Sequence, residues 1–139
     1  MSTYLLDTNV VSELRKRKPH GAVVSWLRSL RDDQLFLSAV TMGELQSGVE
    51  LTRQQDPDRA AEIERWVDQL SDSFQILPMD TRAFREWGRL MHGRSDELIE
   101  DAMIAATARV HGVIVATRNE PDFGHFDVRV FNPFKTAQS

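Results

Sequence analysis

Tyr4-Leu5-Leu6-Asp7-Thr8-Asn9 is the stretch on which the reading of this chain turns. A short apolar run stops on an acid and passes at once into residues that favour helix starts. This is the pattern of a strand feeding a helix, with the Asp7 carboxylate delivered to the strand's C-terminal end. In open α/β sheets, ligands bind outside that edge. Asp, Thr and Asn all favour the N-cap position, yet one residue alone can fill it. Asp7 is therefore either a cap or a functional acid, and the local sequence leaves both readings open.

Further apolar, β-favouring runs lie at residues 35–37, 74–77, 113–115 and 128–131. They are mostly unbroken rather than alternating, as expected of strands buried on both faces. Helical stretches at 9–16, 22–30, 41–53, 60–70, 82–92 and 97–111 separate them. Asp56-Pro57-Asp58 divides the third helix from the fourth, and Gly112 closes the last. The alternation predicts βα units around a mostly parallel central sheet of four to five strands. No repeat, low-complexity tract or linker interrupts it, so residues 1–139 are expected to form a single domain.

Composition narrows the function classes. Without cysteine there is no disulfide framework, thiolate metal site or thiol nucleophile. The first apolar run is far too short for a signal peptide or a membrane span, so a cytoplasmic protein without membrane contact is expected. The net charge of −4 opposes nucleic-acid binding through global electrostatics. Local charge leaves it open, because Arg15-Lys16-Arg17-Lys18 is a dense basic run and several acids stand where a cation would neutralise them. That run also suits the negative end of the first helix whatever the function.

Two further acids stand out. Glu44, in Val40-Thr41-Met42-Gly43-Glu44-Leu45, matches a capping box with Thr41; Gly43 beside it permits close backbone approach. Asp101 lies three, four or seven positions from Leu98, Ile104, Ala105 and Ala108, on or beside an apolar stripe. An ionised carboxylate there is costly unless paired or metal-bound. Arg118 is the candidate partner for a salt bridge; a metal is the alternative. Glu100 points about 100° away and is expected in solvent. Ala102, Ala105, Ala106 and Ala108 would let this helix pack closely on the sheet and bring Asp101 towards Asp7. Oxygen donors from distant segments suggest a hard divalent cation.

A fourth polar segment, Ala116-Thr117-Arg118-Asn119-Glu120-Pro121-Asp122-Phe123, follows the run at 113–115. Thr117 or Asn119 either caps the next turn or joins the acids. Other chemistry is poorly supported. His20, His92, His111 and His125 lack metal-ligand spacing, Ser12 and Ser38 lack a neighbouring base, and no glycine loop cradles phosphate. Trp26, Trp66 and Trp87 fall in amphipathic helices, as core or interface residues.

Taken together, these segments resemble the PIN-domain nucleases, and more closely the VapC-type toxins of bacterial toxin–antitoxin pairs. The likeness runs through residues 5–13, 38–45, 101–108 and 115–119; Val130-Phe131-Asn132-Pro133-Phe134 resembles the end of the FitB-like branch. It implies a PIN-like α/β/α sandwich occupying residues 1–139 and a magnesium- or manganese-dependent endoribonuclease that hydrolyses RNA phosphodiester bonds. The implied setting is a type II toxin, a homodimer held by a cognate antitoxin, touching DNA only through that partner. Asp7, Glu44 and Asp101 match the family's metal-binding acids. Asn119 falls where many relatives are expected to carry a fourth catalytic acid, with Asp122, three residues later, as a substitute. Thr8, Asn9, Thr117 and Asp122 look like supporting or substrate-positioning groups.

Rival readings fit less well. A haloacid-dehalogenase-type phosphatase needs a second acid where Asn9 stands. A receiver domain pairs adjacent acids after its first strand and has its acceptor after a middle strand; neither is visible. A PIN-fold nucleic-acid-binding or regulatory module without cleavage, acting with a DNA-binding partner, keeps the fold and differs only in turnover.

Overall fold

The computed structural model describes residues 1–135. Its centre is strand β1 (Tyr4–Leu6), followed by the short helix α1 (Thr8–Val11), a 3-10 turn (Ser12–Arg15) and helix α2 (Gly21–Arg28). Strand β2 (Leu35–Ser38) leads into a pair of long helices, α3 (Ala39–Arg53) and α4 (Pro57–Ser73). Strand β3 (Gln75–Leu77) precedes a second pair, α5 (Thr81–Met91) and α6 (Ile99–His111). Strand β4 (Ile114–Ala116), the short helix α7 (Glu120–Phe123) and strand β5 (Val130–Phe131) complete it.

The five strands pair in the order β3-β2-β1-β4-β5, all parallel. Tyr4, Leu5 and Leu6 face Leu35, Phe36 and Leu37 on one side and Ile114, Val115 and Ala116 on the other. The chain steps outward from β1 through β2 to β3, then returns to add β4 on the opposite side. The C-terminal ends of β1 and β4 therefore flank the point where strand order reverses, where a crevice opens in sheets of this kind.

Strand alternation divides the core between two faces. Leu5 and Val115 pack with Ala102, Ile104, Ala105 and Ala108 of α6, while Leu6 and Ala116 pack with Val10, Val11, Val23 and Leu70. Helices cover both faces, which gives the expected α/β/α sandwich. The alanines of α6 at 102, 105, 106 and 108 are buried. The three tryptophans are half-buried against these cores. Trp26 packs on Tyr4, with ring centroids 4.9 Å apart, and Trp87 donates its indole N–H to the Ile99 carbonyl at 3.2 Å.

Several element boundaries differ from the sequence reading for identifiable reasons. The expected helix over 9–16 is α-helical only to Val11; Glu13 turns inward and accepts the His20 backbone N–H at 2.9 Å, which favours the tighter turn. Helix α3 starts at Ala39 because Ser38, not Thr41, caps it, accepting from Val40 N at 3.0 Å. Helix α4 starts at Pro57, capped by Asp56. Strand β5 is two residues long, and helix α7 was not expected. Its anchor is Phe123, fully buried against α6 together with Phe126 of the following turn.

Gly112 ends α6 in the left-handed conformation, at φ 67°, which costs an L-residue free energy. Gly48, inside α3, is exposed with open space where a side chain would project. Gly112→Ala should destabilise the protein by about 1 kcal/mol, and Gly48→Ala should stabilise it by a similar or smaller amount. Urea unfolding of the two variants should move the midpoint in opposite directions.

Candidate active site

The reversal point of the sheet is built around Asp7. Its backbone N–H still belongs to the β1–β4 ladder, donating to the Ala116 carbonyl at 2.9 Å, and its carboxylate caps α1 by accepting from Thr8 N at 2.8 Å. Capping and a place in the site are thus not alternatives; one residue does both. Only 5% of Asp7 is exposed. Its second oxygen accepts from the Thr117 hydroxyl at 2.8 Å and from the Asn9 amide at 3.2 Å. Burial nevertheless pushes its pKa above the usual carboxylate range, because these donors are neutral.

Thr8 carries the site across to α3. Its hydroxyl donates to Glu44 at 2.8 Å and lies 3.2 Å from that of Thr41, which is fully buried. With Ser38 as the cap, the capping-box reading of Thr41 and Glu44 fails, and Glu44 is released to face Thr8. Gly43 has open space around it, so no close backbone approach requires it. Burial raises the Glu44 pKa to about 7, and a hydrogen bond with the Glu100 carboxyl adds to the rise. Glu100 is exposed, as expected, but its head group turns to Glu44 and so joins the acids. Neighbouring positions on a helix can both face a wide cleft, a fact that spacing arguments overlook.

Asp101 is half-buried on α6. Its pKa is raised to about 6 by burial, then by the charges of Asp7, Asp122 and Glu100. The charge of Asp7 is thus felt at Asp101, as an approach of the two acids would require. The predicted partner lies elsewhere. The Arg118 guanidinium lies over the Phe134 ring at 3.8 Å, and among the described residues no salt bridge involves Asp7, Glu44, Glu100, Asp101 or Asp122.

The segment after β4 separates Asn119 from Asp122. Asn119 stands at the N-terminal boundary of α7 without a side-chain cap bond, and its backbone N–H donates to the Thr117 hydroxyl at 2.9 Å. Asp122 is the residue whose charge is felt at both Asp7 and Asp101. Buried Phe123 fixes where α7 presents it. The sequence offered Asp122 as a substitute for Asn119, with no sign of the helix that presents it.

Among the described residues, no three His, Asp or Glu side chains are already gathered at ligand spacing. The acids are linked instead by the charges they feel from one another. The donor set is all oxygen, disfavoured as anions and without a side-chain cation, which suits a hard divalent ion. A groove of about 760 Å³ lies elsewhere, lined by Trp26, Phe131 and Pro133. Its only lining acid and base, Glu120 and Lys135, pair at 2.8 Å.

The raised pKa values link this site to stability with a definite sign. Below the ordinary carboxylate range these groups are protonated in folded and unfolded chains alike. As pH rises, the unfolded chain releases the protons first, so metal-free stability falls until the folded groups also ionise, near pH 7 for Glu44. In urea titrations with chelator, Glu44→Gln should gain stability over wild type as pH rises from about 5 to 7. The difference between the two proteins cancels the titrating groups that do not interact with Glu44. Magnesium should narrow the gap at the upper end.

Comparison with known proteins agrees with this geometry. The family model for the PIN domain matches residues 4–128. Toxin FitB of Neisseria gonorrhoeae is 37% identical over 137 residues, covering 94% of this chain and 97% of that protein. The VapC ribonuclease Y4jK of Sinorhizobium fredii is 34% identical, covering 96% and 99%. The crystal structure of FitAcB from N. gonorrhoeae superposes with a TM-score of 0.82 at 36% identity, covering 95% of this chain and 99% of that one. With the family match running from β1 through β4 and taking in every acid of the site, this chain belongs to the PIN domain family.

Proposed function

We propose that this chain is the toxin of a toxin–antitoxin pair and a divalent-metal-dependent ribonuclease, with Asp7, Glu44 and Asp101 as its metal-holding acids. The observation that carries the reading is a set of carboxylates from β1, α3 and α6, raised in pKa and without a side-chain cation. Such a set stores electrostatic cost that a bound cation relieves. The names of the similar proteins support the same activity: FitB is a toxin and Y4jK a VapC ribonuclease. The FitA–FitB structures, one with a DNA fragment, support a cognate antitoxin through which DNA is reached. Magnesium, with manganese as substitute, is the proposed ion, and a homodimer the proposed assembly.

Each residue has a derivable task. When bound, the cation lowers the pKa of a water molecule and offsets charge developing on the phosphoryl group. Asp7, held by three donors, presents an oriented carboxylate with little freedom to lose on binding. Thr8 holds one Glu44 oxygen and so orients the carboxylate towards the other acids. Asp101, supplied by α6, would share the cation with Asp7 and Glu44 and orient the attacking water. Asn9 and Thr117 hold Asp7 and the β4 loop together, and Asp122 adds negative charge at the rim.

Asp7→Asn and Asp101→Asn should each lower metal-dependent RNA cleavage by about a hundredfold or more. Circular dichroism should show the fold retained, and metal-free stability should hold or rise as repulsion is relieved. Unchanged cleavage by either variant in an uncontaminated preparation would refute the assignment. Expression of the wild-type chain should arrest growth, and a partner encoded beside it should restore growth; a metal-loaded chain that leaves RNA intact would point to the binding-module reading.

Asn119 and Asp122 are separable by calorimetry with Mn²⁺. Asp122→Asn should weaken affinity by about tenfold, since a formal charge leaves the cleft, while Asn119→Asp should change it by less than about threefold. The reverse pattern would move the fourth metal-associated position to residue 119.

A further inference from the structure

The closing segment Asn132-Pro133-Phe134-Lys135 has no part in the chemistry described so far, yet it is folded back with care. The Asn132 side-chain oxygen accepts from Phe134 N at 2.9 Å, and its amide donates to Glu120 at 3.3 Å. Lys135 closes on the same Glu120 carboxylate at 2.8 Å. These contacts tie the segment to the start of α7 and fix the Phe134 ring. The ring carries the His20 imidazole in a T-shaped contact at 5.1 Å and the Arg118 guanidinium at 3.8 Å.

Arg118 is placed by two constraints at once. Its backbone follows Thr117, whose hydroxyl bonds Asp7, and its own N–H donates to the Asn9 side chain at 3.2 Å. Its side chain is exposed, and among the described residues no carboxylate lies within salt-bridge distance of it. Glu13 feels the charge of Arg118, but Lys16 and the His20 N–H bond Glu13 directly. An oriented guanidinium, on a residue whose backbone is tied to the same Asn9 that holds Asp7, thus keeps its donor fork available. Stacking on an aromatic face limits its rotamers and leaves its edge, the part that matches phosphate oxygens, facing outward.

We infer that Arg118, clamped by Phe134, grips an RNA phosphate next to the one cleaved, so that residues 132–135 are part of the substrate-binding face. The inference rests on the ribonuclease reading above. A polyanion approaching these carboxylates is repelled by them and attracted at the cation and at such an arginine. Arg118 holds the strand in register with Asp7 because both are fixed to the same Thr117–Asn9 network. Arg118 is a substrate-contacting residue, and Phe134 a positioning residue that acts through it.

The test compares wild type with Arg118→Ala, Arg118→Lys, Phe134→Ala and Phe134→Trp. A mixed-sequence single-stranded RNA oligonucleotide serves as probe, since a phosphate contact is indifferent to base identity. Binding is measured with Ca²⁺ over a salt series and cleavage with Mg²⁺. Arg118→Ala should raise KM by about tenfold with kcat within about threefold, and should lower the salt slope of binding by about one. Arg118→Lys should recover the slope but only part of the KM. Phe134→Ala should raise KM by a smaller factor, and Phe134→Trp should restore it. Mn²⁺ affinity should stay at the wild-type value throughout.

A wild-type chain that cleaves RNA while Arg118→Ala matches it in KM and salt slope would overturn this inference and leave the ribonuclease reading standing. A variant that loses Mn²⁺ affinity or its fold would make Arg118 structural and overturn it too. An Arg118→Ala chain with normal KM that no longer binds its antitoxin would assign the arginine to that partner instead. A wild-type chain that neither binds nor cleaves the probe with metal would remove both readings together.

Discussion

The hydrogen bond from Thr117 to Asp7 is the contact on which the rest of the site depends. It spans 2.8 Å between the first residue beyond β1 and the first beyond β4, across the point where strand order reverses. Both partners are almost wholly buried, so water does not compete for the bond. Asn9 donates to both and accepts from Arg118 N, making one small network of the two strand ends. A neutral network of this kind orients a carboxylate without neutralising it. Had a lysine or arginine taken the place of Thr117, the charge would be satisfied and the site would have less call for a metal.

This choice sets the electrostatics of the whole cleft. Asp7, Glu44 and Asp101 are all harder to ionise than an ordinary carboxylate, first because of burial and then through nearby acidic groups. The free energy stored there is available to a divalent ion, so metal affinity and folding stability are two aspects of one arrangement. The sheet bears the cost. Leu5, Leu6, Val115 and Ala116 are fully buried on its two faces and hold the strand ends in place regardless of the charge beyond them.

Much of the site was legible because its signals are local. Asp7 ends an apolar run, and Asp101 interrupts a small-residue stripe whose purpose is close packing; both patterns survive folding unchanged. Glu44 was legible as a metal-binding acid only through the family resemblance, because its local sequence equally fitted a capping box; tertiary geometry selects Ser38 as the cap. Glu100 was read as solvent-facing from helix periodicity, which fixes direction around one axis but not what stands across the cleft. Asp122 was ranked below Asn119 because α7 is short and its anchoring by Phe123 depends on contact with α6.

The sequence by itself determined the strand and helix order, the parallel sheet, the acids worth weighing and the family they resemble, because hydrophobic periodicity and strand-end polarity are properties of consecutive residues. Only the tertiary structure decided which caps were real, which acids feel one another's charge and which arginine has no carboxylate partner among the described residues. Those outcomes depend on groups far apart in the chain; Thr117 and Asp7 are separated by 110 positions. Their distance is set by strand register and helix packing, and no local rule encodes it.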